Sequence, residues 1–306
     1  AEDGVRSYHL NSIYSPVLTF GRIAAEYLKS KSSPEAARTF VNGWLAEPWK
    51  ADTGTIDPAK FKAVQKDYER GEMRGKYRLL GVDVQRNYLV WVCRGFDVDG
   101  TSWLIDNGTA AVFEDLTALM ERYEVSRGIV DTGYRTQEVY EFIHNSRPFW
   151  FGAKGWETMP TSYRIAKLDP FTPSTGGSPR RHGKRAITLL HINKKIWQEE
   201  MLLKRSGAAQ NWWTYSPIDN EYLRQILSVQ LVEKVNKTGR LVRQFVTEGH
   251  RQDHFWDAET YTLAMSNVFG LGGGVMKGQD LLEEKPPVPQ HKPRAQQSAG
   301  ASFWDS

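Results

Sequence analysis

Three aspartates in this 306-residue chain stand where a carboxylate needs a reason. Asp83 interrupts the apolar run LLGVDV, and burying an ionised carboxylate there is costly unless a cation or hydrogen-bond donors meet it. Asp131 ends the run RGIVD just before Thr132-Gly133, where a parallel strand delivers its functional groups to the sheet's edge. Asp257 lies in the first turn of a final helical segment, HFWDAETYTLA, three residues after His254. Each alone is better explained as a turn former, a cap or a surface group. Gathered together, three carboxylates repel one another and raise each other's pKa values. Divalent cations resolve that conflict, and the all-oxygen set favours Mg2+ or Mn2+ over zinc. Two such ions about 4 Å apart activate a water and stabilise a leaving oxygen, which is phosphodiester hydrolysis. Asp253 and Glu259 are nearby substitutes for Asp257. A rival reading takes His250, His254 and Asp257 as zinc ligands spaced H-x-x-x-H-x-x-D. It lacks the glutamate of H-E-x-x-H, and Gly249 argues that His250 precedes the helix.

Cations accompany the acids. Lys154 ends the strand FWFGAK that follows Asp131, and Lys194 and Lys195 open a helix after ITLLHIN. Arg180, Arg181, Lys184 and Arg185 crowd the loop STGGSPRRHGKR at 174–185. Together these side chains make a candidate DNA groove, giving position rather than sequence preference. For a charge run alone, a solvated surface loop is the better account. The net charge, +4 from 40 basic and 36 acidic residues, permits a polyanionic partner without requiring one.

The elements that must position these groups read as mixed α/β. Residues 1–75 are mostly helical and loop-like, with Ser33-Pro34-Glu35 a helix start. RLLGVDVQ, NYLVWVCRGFD and GTSWLIDNG form an antiparallel meander. FEDLTALMERYE (helix), RGIVD (strand), TQEVYEFIHN (helix) and PFWFGAKG (strand) follow. If the fourth strand pairs beside the first, Asp83 and Asp131 become neighbours and a last amphipathic helix lays Asp257 across them. Beyond ITLLHIN come two helices, then a hairpin over 229–246 that carries Lys234, Lys237, Arg240 and Arg243 around its turn. The expected division is a segment 1–75, a catalytic domain 76–270 and a disordered tail 271–306. Cys93, the single cysteine, reads as a buried strand residue and excludes a disulfide scaffold. No apolar run approaches the roughly 18 residues of a membrane span, and the amino-terminal stretch lacks a signal pattern, so an intracellular protein is expected.

YHLNSIYSP (8–16) and RTFVNGWLAEPW (38–49) resemble the segment linking motor to nuclease in lambda-type phage terminase large subunits. LLGVDVQRNYLVWVCRGFDVDGTSWLID, VDTGYRTQEVYEFI, GAKGW and DHFWDAETYTLA are similar to that family's nuclease motifs, in the same order. The resemblance implies an RNase H-like sheet of five or more strands flanked by helices. It also implies two-metal cleavage of double-stranded DNA concatemers during viral genome packaging. Asp83, Asp131 and Asp257 match the family's acidic ligands, and His254 matches its last-motif histidine, a candidate for phosphate contact or proton transfer. Implied partners are the portal protein, the small terminase subunit and the ATPase domain of the full-length chain, within the host cell cytoplasm. No G-x-x-x-x-G-K-[ST] loop occurs here, so the motor's chemistry is not expected of these residues. Two alternatives stay open: another RNase H-like enzyme such as a resolvase or transposase, and a non-catalytic DNA-binding assembly module. The second would not need Asp83 in its sheet.

Overall fold

The computed structural model describes residues 9–30, 34–47, 58–173, 179–180, 185–235, 241–247 and 252–271. Helices α1 (Phe20–Ser30), α2 (Pro34–Thr39) and the single turn α3 (Pro58–Phe61) come first. Pro34 opens α2, as a proline at the first helical position should. A two-residue strand, β1 (Gln65–Lys66), precedes the expected meander of β2 (Tyr77–Val84), β3 (Leu89–Phe96) and β4 (Ser102–Ala110). Then come α4 (Phe113–Arg122), β5 (Arg127–Asp131), α5 (Thr136–Asn145) and β6 (Trp150–Trp156). The chain continues through β7 (Tyr163–Pro173), β8 (Pro179–Arg180), β9 (Ile187–Asn193) and α6 (Lys194–Arg205). It closes with β10 (Trp212–Tyr215), α7 (Asn220–Ser228), the hairpin β11 (Val229–Val235) and β12 (Leu241–Thr247), and α8 (His254–Val268).

Among the described residues, ten strands form one sheet in the order β1-β10-β4-β3-β2-β5-β6-β9-β7-β8, and β11 and β12 pair apart. The kernel β4-β3-β2-β5-β6 is RNase H-like: an antiparallel meander, then β5 and β6 joining parallel beside β2. β7 is a strand that the sequence pattern does not announce. TSYRIAKLDPFTP is broken by charges and prolines, yet Tyr163 to Leu168 pair antiparallel with Ile192 to Ile187 of β9. Partner backbone decides that strand, and local pattern does not report it. β10 is likewise too short to stand out.

Both faces of the sheet are covered, so β2 and β3 are apolar almost throughout. Leu79, Val90, Val92 and Ile129 pack with Trp197, Met201, Trp256 and Tyr261 beneath α6 and α8. Leu80, Val82, Cys93 and Val130 pack with Leu116, Met120, Val139 and Ile143 beneath α4 and α5. Successive residues of β2 therefore serve opposite layers, the period-two signature of a strand. Phe61 and Val64 are fully buried with the first group.

α8 departs from the expected amphipathic helix, since nearly every side chain from Phe255 to Ser266 is buried. Its polar residues satisfy themselves: the hydroxyls of Thr260, Thr262 and Ser266 donate to the carbonyls of Trp256, Glu259 and Leu263. Glu259 is met by Arg94 of β3, which donates through Nε and Nη2 at 2.8 Å each, and both side chains are 1% exposed. Gly81 lets the helix lie directly on β2, because a Cβ there would come 2.3 Å from the carbonyl oxygen of Ala258.

Candidate metal centre

Register brings the first two acids together. Val82 of β2 is paired with Val130 of β5, so the next residues along, Asp83 and Asp131, fall side by side at one end of the sheet. Both occupy the alternation that faces α8, whose first turn lays Asp257 over the same end. Asp83 is buried, and its Oδ2 accepts from Gln85 Nε2 at 2.7 Å and from His254 Nδ1 at 2.9 Å. Asp131 accepts from the Tyr261 hydroxyl at 3.1 Å and from the Gly133 amide at 3.1 Å. Asp257 Oδ2 accepts from Lys194 Nζ at 2.9 Å, and its other oxygen, Oδ1, is buried with no hydrogen-bond partner.

The electrostatics are those of a site short of positive charge. Burial, with the Asp83 charge next in weight, raises the Asp131 pKa. Burial lifts Asp257 to about 7; the Lys194 ammonium offsets this only in part, and Asp83 adds to it. His254 is raised by its hydrogen bond to Asp83 and then by that carboxylate's charge, against the opposing effect of burial. Burial would lower Lys194, but Asp257 outweighs it and the ammonium is held charged. Among the described residues, no three His, Cys, Asp or Glu side chains are gathered closely enough to hold a metal ion as they stand. Lys194 and His254 stand on two of the acids instead. The donor set nevertheless fits a hard divalent cation: carboxylate oxygens only, an orphaned buried Oδ1, and like charges in want of a counter-ion.

The metal-free protein should lose stability as pH rises. Asp257 releases its proton near pH 7 when folded, against an ordinary value of 3.8, so the folded chain binds the extra proton between those limits. This group's contribution is full below about pH 4 and is lost as pH rises from there through 7, by at most about 4 kcal/mol. Asp131 and His254, both raised, act in the same direction. Urea unfolding in EDTA should give a lower midpoint at pH 8 than at pH 5, with a flatter profile for Asp257→Asn. A midpoint that rises from pH 5 to 8 contradicts this account.

Glu259 is excluded as a substitute for Asp257, since its carboxylate points into the core toward Arg94 and the Tyr222 hydroxyl. Asp253 lies closer: it accepts from the Thr247 hydroxyl at 2.8 Å, and its charge helps raise Lys194, His254 and Asp257. Lys194, expected along a DNA groove, is engaged by Asp257 inside the site, whereas Lys195 is exposed. Lys154 is exposed, with its ammonium 5.6 Å from the centre of the Trp156 ring. Arg185 is exposed against Phe171. Arg180 enters through its backbone in β8, while Arg181, Lys184, His250, the hairpin turn at 236–240 and the tail beyond 271 lie outside the described residues. Two site residues escape the sequence reading. Tyr261 sits one helical turn beyond Asp257, and Gln85 two residues beyond Asp83, just past the end of β2, which is the signal available for each. A cavity of about 190 Å³ lined by Met120, Arg147 and Trp150 lies on the α4 and α5 face, away from the acids.

The large terminase subunit of Escherichia phage lambda is 30% identical to this chain over 102 residues, which is 33% of this chain and 16% of that protein's length. Two solved structures align at lower identity. The large terminase nuclease of thermophilic phage G20c, with bound magnesium, is 14% identical at a TM-score of 0.40, covering 71% of this chain and 98% of that one. The nuclease domain of the large terminase subunit of bacterial virus Sf6 is 12% identical at 0.38, covering 69% and 98%. Residues 5–277 match the family described as "Terminase large subunit gpA, endonuclease domain", and the chain belongs to that family.

Proposed function

We propose that this chain is a Mg2+- or Mn2+-dependent endonuclease that cuts double-stranded DNA concatemers during phage genome packaging. The observation that carries the reading is the meeting of Asp83, Asp131 and Asp257 at one end of the sheet, with the Asp257 Oδ1 buried and unpartnered. In this reading the three carboxylates hold two divalent ions. Ions bound there would supply the positive charge that polarises a phosphodiester and makes a water nucleophilic near neutral pH.

The chain's own side chains set the rest. Tyr261 fixes one oxygen of Asp131 and the Gly133 amide fixes the other, so that carboxylate keeps its orientation. The Nδ1 of His254 is committed to Asp83, so a phosphate contact or proton exchange falls to its Nε2. The Lys194 ammonium can neutralise Asp257 or a phosphate oxygen, and the two compete for it. Exposed Lys195, Lys154 and Arg185 offer phosphate contacts outside the site. The portal protein, the small terminase subunit and an ATPase domain of the full-length protein are the partners this function calls for, in the host cytoplasm.

Supercoiled plasmid incubated with the purified chain should be nicked and then linearised with Mn2+ or Mg2+, and left intact with EDTA. Intact plasmid with both metals, at protein concentrations that retard DNA in a gel, would favour the DNA-binding module instead.

A further inference from the structure

Three adjacent strands carry a row of nitrogen donors near the acids' end of the sheet, on its opposite face. Lys154 of β6 is paired with His191 of β9, and the same His191 is paired with Arg164 of β7. Lys154 and Arg164 are exposed, and neither has an ion-pair partner among the described residues. Trp156, 42% exposed, donates its Nε1–H to His191 Nδ1 at 2.8 Å and stacks on that ring at 5.8 Å. Because Nδ1 accepts this bond, the neutral imidazole carries its proton on Nε2 and presents a donor. Burial, then Arg164 and Lys154, lower the His191 pKa, so both charges acting on this ring are positive. Such a row has donors and no acceptor, which is the chemistry of a phosphate site.

Its position ties it to the cut. Ala153 is paired with Asp131, and Lys154 is the next residue along β6. Strand spacing and the Cα step put Lys154 roughly 6 Å from Asp131, backbone to backbone, about two nucleotide rises along a DNA strand. The row faces the α5 side of the sheet, as Gly152 against Ile143 establishes for the even positions of β6. The acids face α8 on the other side of the sheet, so a DNA strand goes from them to the row by passing over the end of the sheet from one face to the other. An indole pinned by its own N–H and left partly bare is a stacking platform, and bases within a duplex are not free to use one.

We propose that Lys154, Arg164 and His191 hold a backbone phosphate of single-stranded DNA while Trp156 stacks on an unpaired base beside it. The inference rests on the DNA-cleaving reading above and adds a local preference for unpaired DNA next to the cut.

The test uses the full chain in EDTA, where no cutting intervenes. Fluorescence anisotropy would follow a fluorescein-labelled oligonucleotide of about 12 nucleotides, single-stranded or annealed to its complement. Trp156→Ala should weaken single-strand binding about 10-fold, in the range for loss of one stacked base, and duplex binding less than about 3-fold. Trp156→Phe, which keeps a ring without the indole N–H, should recover most of the loss. Arg164→Ala should weaken both and reduce the salt slope by roughly one phosphate contact. Equal effects of Trp156→Ala on the two DNAs, or none, overturn the subsite while plasmid cleavage by the unaltered chain leaves the nuclease standing. An unaltered chain that neither binds these DNAs nor cuts plasmid overturns both.

Discussion

Asp83→Ala protein is expected to cut plasmid at least on the order of a thousandfold more slowly than the unaltered chain, while binding the same DNA. A thousandfold is about 4 kcal/mol of transition-state stabilisation, within what losing a metal-bound charge removes. Asp83 is the acid most deeply tied to the rest: it neighbours Asp131 through the strand register and holds His254 by hydrogen bond. Its charge also contributes to the raised pKa of Asp131 and of Asp257. Removing it therefore relieves repulsion, and the metal-free variant should melt no lower than its parent. Time courses on supercoiled plasmid with Mn2+, beside thermal melts in EDTA, separate the two effects. Cleavage within tenfold of the parent sinks the site assignment, and a collapsed melting temperature recasts Asp83 as structural.

Breaking the Arg94–Glu259 pair should be the most destabilising single change in the chain, costing about 3–5 kcal/mol. Arg94 Nη1 also donates to the Trp213 carbonyl at 3.1 Å, its guanidinium lies 4.2 Å over Trp212, and the Tyr222 hydroxyl donates to Glu259 at 2.5 Å. One buried network thus joins β3, β10, α7 and α8. Either Arg94→Met or Glu259→Ala strands an uncompensated charge where no water reaches it. The double variant Arg94→Met/Glu259→Leu removes both charges and should recover most of the loss. Urea denaturation of the three proteins checks this, and single variants within about 1 kcal/mol of the parent would contradict it. Since Glu259 lies two residues after Asp257 on α8, the pair also fixes how far that helix slides along the sheet. A stable double variant that cuts poorly would mean that this register, not stability alone, is what the network supplies.

The contrast between Asp83 and Glu259 marks what can be read without coordinates. Asp83 stands out because its strand is apolar on both sides of it, and strand alternation assigns a face. Asp131 follows from strand order, which the meander and the later helix–strand alternation make legible. α8 does not follow, because a helix buried all round has no polar stripe to set its phase. Asp257 and Glu259, two positions apart, then look interchangeable, and only packing turns one to the sheet's end and the other into the core. Lys194 and Lys195 give the same lesson: adjacent lysines at a helix start look alike, yet one neutralises an acid and the other meets solvent. β7 stays hidden because its pairing with β9 overrides a sequence full of charges and prolines.

Burial of α8 on every side has a consequence for when the proposed nuclease could harm DNA. The helix that brings the third acid follows all twelve described strands in the chain, and it is also the centre of one hydrophobic layer. A ribosome-bound chain that has not yet released α8 has two acids at its sheet end and an open core, so under the proposed function cutting ability would arrive together with completed folding. Once docked, the helix cannot loosen without exposing that layer. In the proposed nuclease, restraint would then fall on what reaches the acids, the DNA and the ions, while their scaffold stays fixed.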